Sequence, residues 1–228
     1  FNKKFEIKSV KEKLNIASLK MHTIDFLNWF SQYNLVPLGL ALRLHLLSGN
    51  AIEKQKNIEY QKYQIQINKE KFHLSDEQEK AFKELIKHDN SFRVHLLQGT
   101  TGSGKTIVYF KAIEKIINQG QQSLILLPEI GLAGEFEKKF KNFFGFESAV
   151  WHSRITPKRK KVIWSGLSNG EIKVVIGARS ALFLPFKKLG LIVVDEEHDQ
   201  SFKQDEGVTY NARDMAIARA NSENIPIN

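Results

Sequence analysis

Eight consecutive residues, Gly99-Thr100-Thr101-Gly102-Ser103-Gly104-Lys105-Thr106, spell G-x-x-x-x-G-K-T between a short apolar run and a helical pattern. Glycines let successive backbone N–H groups turn inward around a phosphate. The N-terminus of the helix that follows adds about half a positive charge. At this spacing Lys105 reaches the β- and γ-phosphates and the Thr106 hydroxyl sits on Mg²⁺. The bland alternative is a turn of purely structural use, and a strand before it and a helix after it argue against that. About ninety residues later, Leu191-Ile192-Val193-Val194 runs into Asp195-Glu196-Glu197-His198. Four apolar residues in a row read as a buried strand whose carboxyl end delivers acids to a phosphate crevice. Asp195 is expected to hold Mg²⁺ through water, and Glu196 to polarise the attacking water of an in-line phosphoryl transfer. The expected catalytic set is therefore Lys105, Asp195 and Glu196, with Thr106 and Asp195 as the metal set.

These two motifs define a nucleoside triphosphatase without saying which, and a kinase or small GTPase competes. Three further stretches bear on the choice: Leu127-Pro128-Glu129-Ile130-Gly131-Leu132, Ile176-Gly177-Ala178-Arg179-Ser180-Ala181-Leu182-Phe183, and Asp199 to Gly207 leading to Tyr210-Asn211-Ala212-Arg213-Asp214. The first two follow predicted strands, so they share a sheet edge with the nucleotide.

The elements that must position these residues begin after His73. Ser75-Asp76-Glu77-Gln78 opens a helix with Ala81, Phe82, Leu85 and Ile86 on one face. Strands are predicted over 93–98, 123–127, 147–152, 173–177 and 191–195, and helices near 105–118 and 131–144. A further helix starts at Thr156-Pro157, with Thr as N-cap and Pro at N1. Strands alternating with amphipathic helices indicate an α/β domain with a mostly parallel sheet. Upstream, residues 22–48 read as two short helices around an aromatic cluster broken by Pro37-Leu38-Gly39, and 49–71 read as a polar linker. Residues 1–20 alternate Lys with apolar residues and carry no single period. The expected organisation is 1–50 as a partial N-terminal region, 51–72 as linker and 73–228 as the nucleotide-binding domain.

The chain has 228 residues, 42% hydrophobic and 26% charged, ordinary values for a globular protein. It contains no cysteine, which excludes a disulfide, a thiolate nucleophile and a cysteine-held zinc. No apolar run approaches the ~20 residues of a membrane span. The net charge of +9 suits an anionic partner, although 27 of the 34 basic residues are Lys, which solvated faces carry without one. The excess lies at the front, with 12 basic and 6 acidic residues in 1–72. Lys158-Arg159-Lys160-Lys161 points in all directions from one helical turn and reads as a solvated face. Trp151-His152-Ser153 reads as a strand end with a local hydrogen bond, and the scattered histidines lack metal-ligand spacing.

Taken together, the P-loop, Pro128-Glu129-Ile130, Trp151-His152-Ser153, Gly177-Ala178-Arg179-Ser180, the Asp-Glu-Glu-His box and Tyr210-Asn211-Ala212-Arg213-Asp214 resemble the bacterial primosomal replication-restart helicases (the PriA family, primosomal protein N′) of superfamily 2. The likeness covers 73–228 closely and 22–48 weakly, through Tyr33 and Pro37-Leu38-Gly39. It implies a RecA-like ATP-binding lobe, preceded by a small helical remnant of a DNA-binding domain. It also implies ATP with Mg²⁺, bound by Gln78, Gly99, Thr100, Thr101, Gly102, Ser103, Gly104, Lys105 and Thr106. Gln78 matches the glutamine that reads adenine; a capping box with Ser75 is the rival reading, and both can hold at once. The resemblance places Arg179 and Ser180 at a single-strand phosphate. It places His198 between nucleotide and DNA as a coupler, and Phe202 and Tyr210 in a DNA-sensing loop. Stacking of such rings on a base is worth about 1–3 kcal/mol, with core packing as the alternative.

Further implications are single-stranded and forked DNA as partners, primosome and single-strand-binding proteins, a monomer, and a cytoplasmic, nucleoid-associated location. The family continues past this point into a second lobe that supplies an arginine to the γ-phosphate and carries a cysteine-bound zinc. Zinc is thus expected only there, and the chain reads as a fragment or a reduced form. Three functions follow: the ATP-binding lobe of a 3′-to-5′ restart helicase, a binding remnant without turnover, or another superfamily 2 DNA translocase.

Overall fold

The computed structural model describes residues 18–46, 72–87, 91–100, 102–128 and 133–228. The expectations for residues 1–17, most of the linker, Thr101 and Glu129–Leu132 lie outside the described residues. Six strands form one parallel sheet: β1 (Arg93–Val94), β2 (Gln122–Leu126), β3 (Ala149–Trp151), β4 (Val174–Gly177), β5 (Leu189–Val194) and β8 (Pro226–Ile227). Their spatial order is β1-β8-β5-β2-β4-β3, and every pairing is parallel. A separate antiparallel ribbon pairs β6 (Lys203–Gln204) with β7 (Tyr210–Asn211). The strand expected over 93–98 is shorter, pairing Arg93 with Pro226 and Val94 with Ile227, with one further bond from His95 N–H to Ile227 O at 2.8 Å. β8 itself was not foreseen.

Both faces of the sheet are covered, as an all-parallel sheet requires. Helices α4 (Lys105–Asn118) and α5 (Ala133–Phe144) cover one face, where Phe110, Phe140, Phe143 and Phe144 pack on Ile125 and Val193. On the other face lie α6 (Pro157–Asn169) and α7 (Ala212–Glu223), with Trp164, Leu167 and Met215 against Leu124, Leu126 and Ile192. Successive residues of β2 thus alternate between the two cores. α6 starts as expected: Thr156 accepts from the Arg159 amide, and Pro157 opens the first turn. α3 (Asp76–Ile86) lies against α4.

Helices α1 (Met21–Tyr33) and α2 (Leu38–His45) do not form a core of their own. α1 buries Thr23, Phe26, Leu27 and Phe30, spaced i, i+3, i+4 and i+7, and these rings join the core shared with α6 and α7. Phe30 meets Phe183 and Tyr210 edge to face at 5.1 and 5.5 Å. Arg219 of α7 is fully buried between the Phe26 and Phe186 rings and lies 3.5 Å from Glu223. His45 at the end of α2 is 3% exposed, with Nδ1 2.7 Å from the Phe183 carbonyl. Because that acceptor carries no proton, Nδ1 is the protonated nitrogen of the neutral ring.

Burial, and then the nearby Arg219 charge, lowers the His45 pKa to about 4. The unfolded chain takes up this proton near pH 6.5, so the contribution is complete above that pH and is lost as pH falls towards 4. Acidifying from pH 7 to 4 should remove about 3 kcal/mol of stability through this group. Urea melts across that range should show the loss, and His45→Asn, which does not titrate there, should flatten it.

Candidate nucleotide and nucleic-acid site

The loop between β1 and α4 is held in shape by its own backbone. Ser103 N–H donates to Thr100 O at 3.1 Å, and Gly102 and Gly104 adopt left-handed φ values of 85° and 82°. At Gly104 the left-handed torsion disfavours a side chain, and a Cβ there would stand 2.4 Å from Gln78 Nε2 and push that amide aside. Lys105 Nζ donates to Gly99 O at 2.6 Å and to Thr100 O at 3.3 Å, which places its ammonium in the mouth of the loop.

Across the sheet edge, Asp195 follows β5 directly, and its N–H extends the ladder to Leu126 O at 3.1 Å. The chain then turns sharply at Glu196, whose φ of 52° is uncommon for a residue other than glycine. Glu196 N–H donates to Asp195 Oδ1 at 3.1 Å, and Glu196 Oε2 lies 3.7 Å from Nε2 of the exposed His198. Gly99, Lys105, Asp195, Glu196, His198 and Arg213 all line one cleft of about 700 Å³. The expected catalytic set and the coupling histidine thus share a cavity.

Tyr109 was not among the expected residues. Its buried phenol donates to Asp195 Oδ2 at 2.9 Å. Burial, reinforced by the Asp195 charge, pushes its pKa far above the ordinary tyrosine value, so the O–H remains a donor. A side chain from the helix that carries Thr106 thereby holds the carboxylate read as a metal ligand. The available signal was its place four residues after Lys105, on the same helix face. Arg213 was quoted without a role; it bridges Glu197 at 3.2 Å and Asp214 at 3.0 Å, tying the acidic box to the start of α7.

Among the described residues no group of three or more His, Cys, Asp or Glu is placed to hold a metal. One carboxylate beside a P-loop threonine suits Mg²⁺, which is bound by few protein oxygens and completes its shell with phosphates and water.

Gln78 closes the capping box: Oε1 accepts from the Ser75 amide at 2.9 Å, and the Gln78 amide donates to Ser75 Oγ at 3.3 Å. Its Nε2 donates to Ser103 O at 2.9 Å. The same side-chain amide therefore caps α3 and braces the loop between β1 and α4.

Arg179 and Ser180 open a 3₁₀ turn (Arg179–Phe183) after β4. Gly177 allows the turn to fold back, since a Cβ there would stand 2.4 Å from the Ala181 Cβ and 2.9 Å from Trp151 O. Ser180 is exposed, with its Oγ accepting from Trp151 Nε1 at 3.2 Å. Arg179 donates to Lys203 O in the ribbon, and Ser201 Oγ donates to Pro128 O at 2.7 Å. The segments after β2, β3, β4 and β5 are thus cross-linked along one edge.

For Phe202 and Tyr210 the structure favours the core-packing alternative. Phe202 and Tyr210 are 1% and 4% exposed and belong to the core with Phe30 and Phe183, so neither ring is open to a base in this conformation. Their hydrophobic area wins burial; burial also lifts the Tyr210 pKa to about 12. Lys158 and Arg159 are exposed, whereas Lys160 lies over the Trp151 ring at 6.0 Å. His152 Nδ1 accepts from the Arg154 amide at 3.2 Å, the local bond read at that strand end.

The fold and cleft define a RecA-like P-loop lobe, and a family model for DEAD/DEAH box helicases matches residues 75–224. The chain belongs to that family. Its curated relatives include the replication restart protein PriA of Rickettsia felis, 42% identical over 215 residues, covering 94% of this chain and 32% of that protein. PriA of Bacillus subtilis is 41% identical over 156 residues, covering 68% of this chain and 19% of that one. The chain thus spans about a third or less of these relatives' length. Among solved structures, the DUF1998 helicase MrfA has a TM-score of 0.47 at 22% identity, covering 70% of this chain and 27% of that one. Among the described residues no helix is long and apolar enough to cross a membrane.

The two duties of Gln78 can be separated. Gln78→Glu keeps an acceptor for the Ser75 amide and adds negative charge at a helix start, so the melting temperature should hold. It has no N–H for Ser103 O, so affinity for a fluorescent ATP analogue should drop. Gln78→Ala should lose affinity as well as about 1 kcal/mol of stability, visible in urea melts.

Proposed function

We propose that this chain is the ATP-binding lobe of a DNA helicase that acts in restarting stalled replication forks and moves 3′ to 5′ in the complete protein. The observation that carries the nucleotide half is Asp195, held by the Tyr109 phenol, sharing one cleft with Gly99 and Lys105. Residues 99–106 would wrap the polyphosphate with backbone N–H groups, and Lys105 would exchange its carbonyl partners for phosphate oxygens. Thr106 and Asp195 would hold Mg²⁺, whose chemistry is to neutralise charge developing on the phosphates. Glu196 stands on the solvent side of Asp195 and would orient the attacking water. His198, within reach of Glu196, would link hydrolysis to the strand.

The DNA half rests on the cross-linked edge and on the relatives' printed name. Arg179 and the Ser180 hydroxyl present donors where a single-strand phosphate would lie. Forked DNA, primosome and single-strand-binding proteins, and a second lobe with an arginine finger and zinc belong to this reading of the longer protein. A monomer in the cytoplasm, associated with the nucleoid, belongs to it too.

Lys105→Ala should abolish Mg·ATP binding, followed by titration calorimetry, while circular dichroism stays unchanged; retained affinity would sink the phosphate-loop assignment. Affinity for single-stranded DNA should fall with salt at a log–log slope of about −0.7 per phosphate neutralised. ATP turnover with and without forked DNA separates a working lobe from a binding remnant.

A further inference from the structure

The five-residue turn that presents Arg179 and Ser180 ends in the protein interior, where Ala181, Leu182, Phe183 and Leu184 are buried. The last carbonyls of such a turn have no partner within it. Here the last two are taken by side chains from elsewhere, Arg219 Nη1 donating to Leu182 O and His45 Nδ1 to Phe183 O at 2.7 Å, while just past the turn Leu184 O accepts from Arg219 Nη2 at 2.9 Å and from the Phe186 amide at 3.1 Å. Both donors are almost completely buried. His45 is itself gripped, since its own carbonyl accepts from Trp164 Nε1 at 3.1 Å. The Phe183 ring is fixed between Phe26, Phe30 and Tyr210 at 5.8, 5.1 and 5.5 Å.

We propose that His45 and Arg219 are positioning residues for the phosphate-contacting turn, so that helices α1 and α2 form part of the nucleic-acid site by fixing the buried end of that turn. This rests on the reading of Arg179 and Ser180 as DNA contacts. A buried carbonyl that loses its donor has to find another or reach water. The clamped carbonyls lie only three to five positions beyond Arg179, so such a rearrangement moves the exposed donors. Hydrophobic packing alone would seat α2 without placing His45 on the carbonyl between the two that Arg219 of α7 takes. The clamp is specific to the turn and does not reach the phosphate loop on the far side of β5.

The test compares wild-type chain with His45→Ala, His45→Asn and Arg179→Ala. The asparagine amide keeps a donor near the position of Nδ1. Readouts are hydrogen exchange of peptides spanning 178–186, affinity for a fluorescein-labelled oligo-dT, and affinity for a fluorescent ATP analogue. His45→Ala should deprotect the turn and raise the oligo-dT Kd about tenfold, with the ATP-analogue Kd within about twofold of wild type. His45→Asn should restore both, and the His45→Ala, Arg179→Ala pair should bind DNA no more weakly than Arg179→Ala alone. Unchanged DNA affinity in His45→Ala, where Arg179→Ala weakens it, overturns the proposal, as does full additivity of the two. If Arg179→Ala leaves DNA affinity unchanged, the DNA reading itself fails; the clamp then stands or falls on the exchange of 178–186. Should His45→Ala not fold, Trp164→Phe, which removes only the grip on the His45 carbonyl, is read by the same criteria.

Discussion

β2 is buried along all five residues and is paired on both sides, with β5 and β4. Everything functional hangs from that register. Leu126 lies opposite both Gly177 and Val194, so one level of the sheet sets the starts of the Arg179 turn and the acidic box. A shift of one residue would exchange Leu124 and Leu126 for Ile125 and Leu127 between the two cores. The bond from Asp195 N–H to Leu126 O carries the ladder one step beyond β5, and only then does the chain turn at Glu196. The strained turn is affordable because the strand before it is pinned on both sides.

Most of this was legible in the sequence because parallel strands and phosphate loops leave coarse signals. Uninterrupted apolar runs marked β2, β4 and β5, and the G-x-x-x-x-G-K-T spacing marked the loop without reference to anything distant. Thr156-Pro157 announced α6 for the same local reason. What stayed hidden depends on residues far apart in the chain. β8 is two residues long and carries a proline, so it becomes a strand only because β1 and β5 leave a place between them. Tyr109 looks like any apolar-face residue until β5 brings Asp195 to it. Phe202 and Tyr210 lie where the resemblance places a DNA-sensing loop, and only the packing of α1 against the lobe shows their rings turned inward.

The N-terminal helices show the same limit from the other direction. Read alone, residues 22–48 form a small aromatic helix pair, and the polar stretch after them suggests a separate unit. Folding places Phe26 and Phe30 in the core of the nucleotide-binding lobe, with Arg219 between Phe26 and Phe186. A fully buried guanidinium is costly unless its donors are met. Here Leu182 O, Leu184 O and Glu223 meet the two Nη groups, Nε is left without a partner among the described residues, and His22 of α1 lies 2.9 Å from Glu223. The boundary suggested by composition is therefore not a boundary in the packing.

The three tryptophans occupy such different surroundings that the protein carries its own optical reporters. Trp29 is partly exposed and stacked on Tyr33 at 4.8 Å, which makes it a solvent-facing background emitter. Trp164 is buried, with its N–H fixed on the His45 carbonyl. Trp151 is also buried, but its N–H is bound to the exposed Ser180 hydroxyl. Anything that takes the Ser180 hydroxyl into a new hydrogen bond changes the electrostatic field on one indole out of three. Difference emission spectra would then follow the Arg179–Ser180 turn in the unlabelled chain, while Trp164 follows its buried anchor.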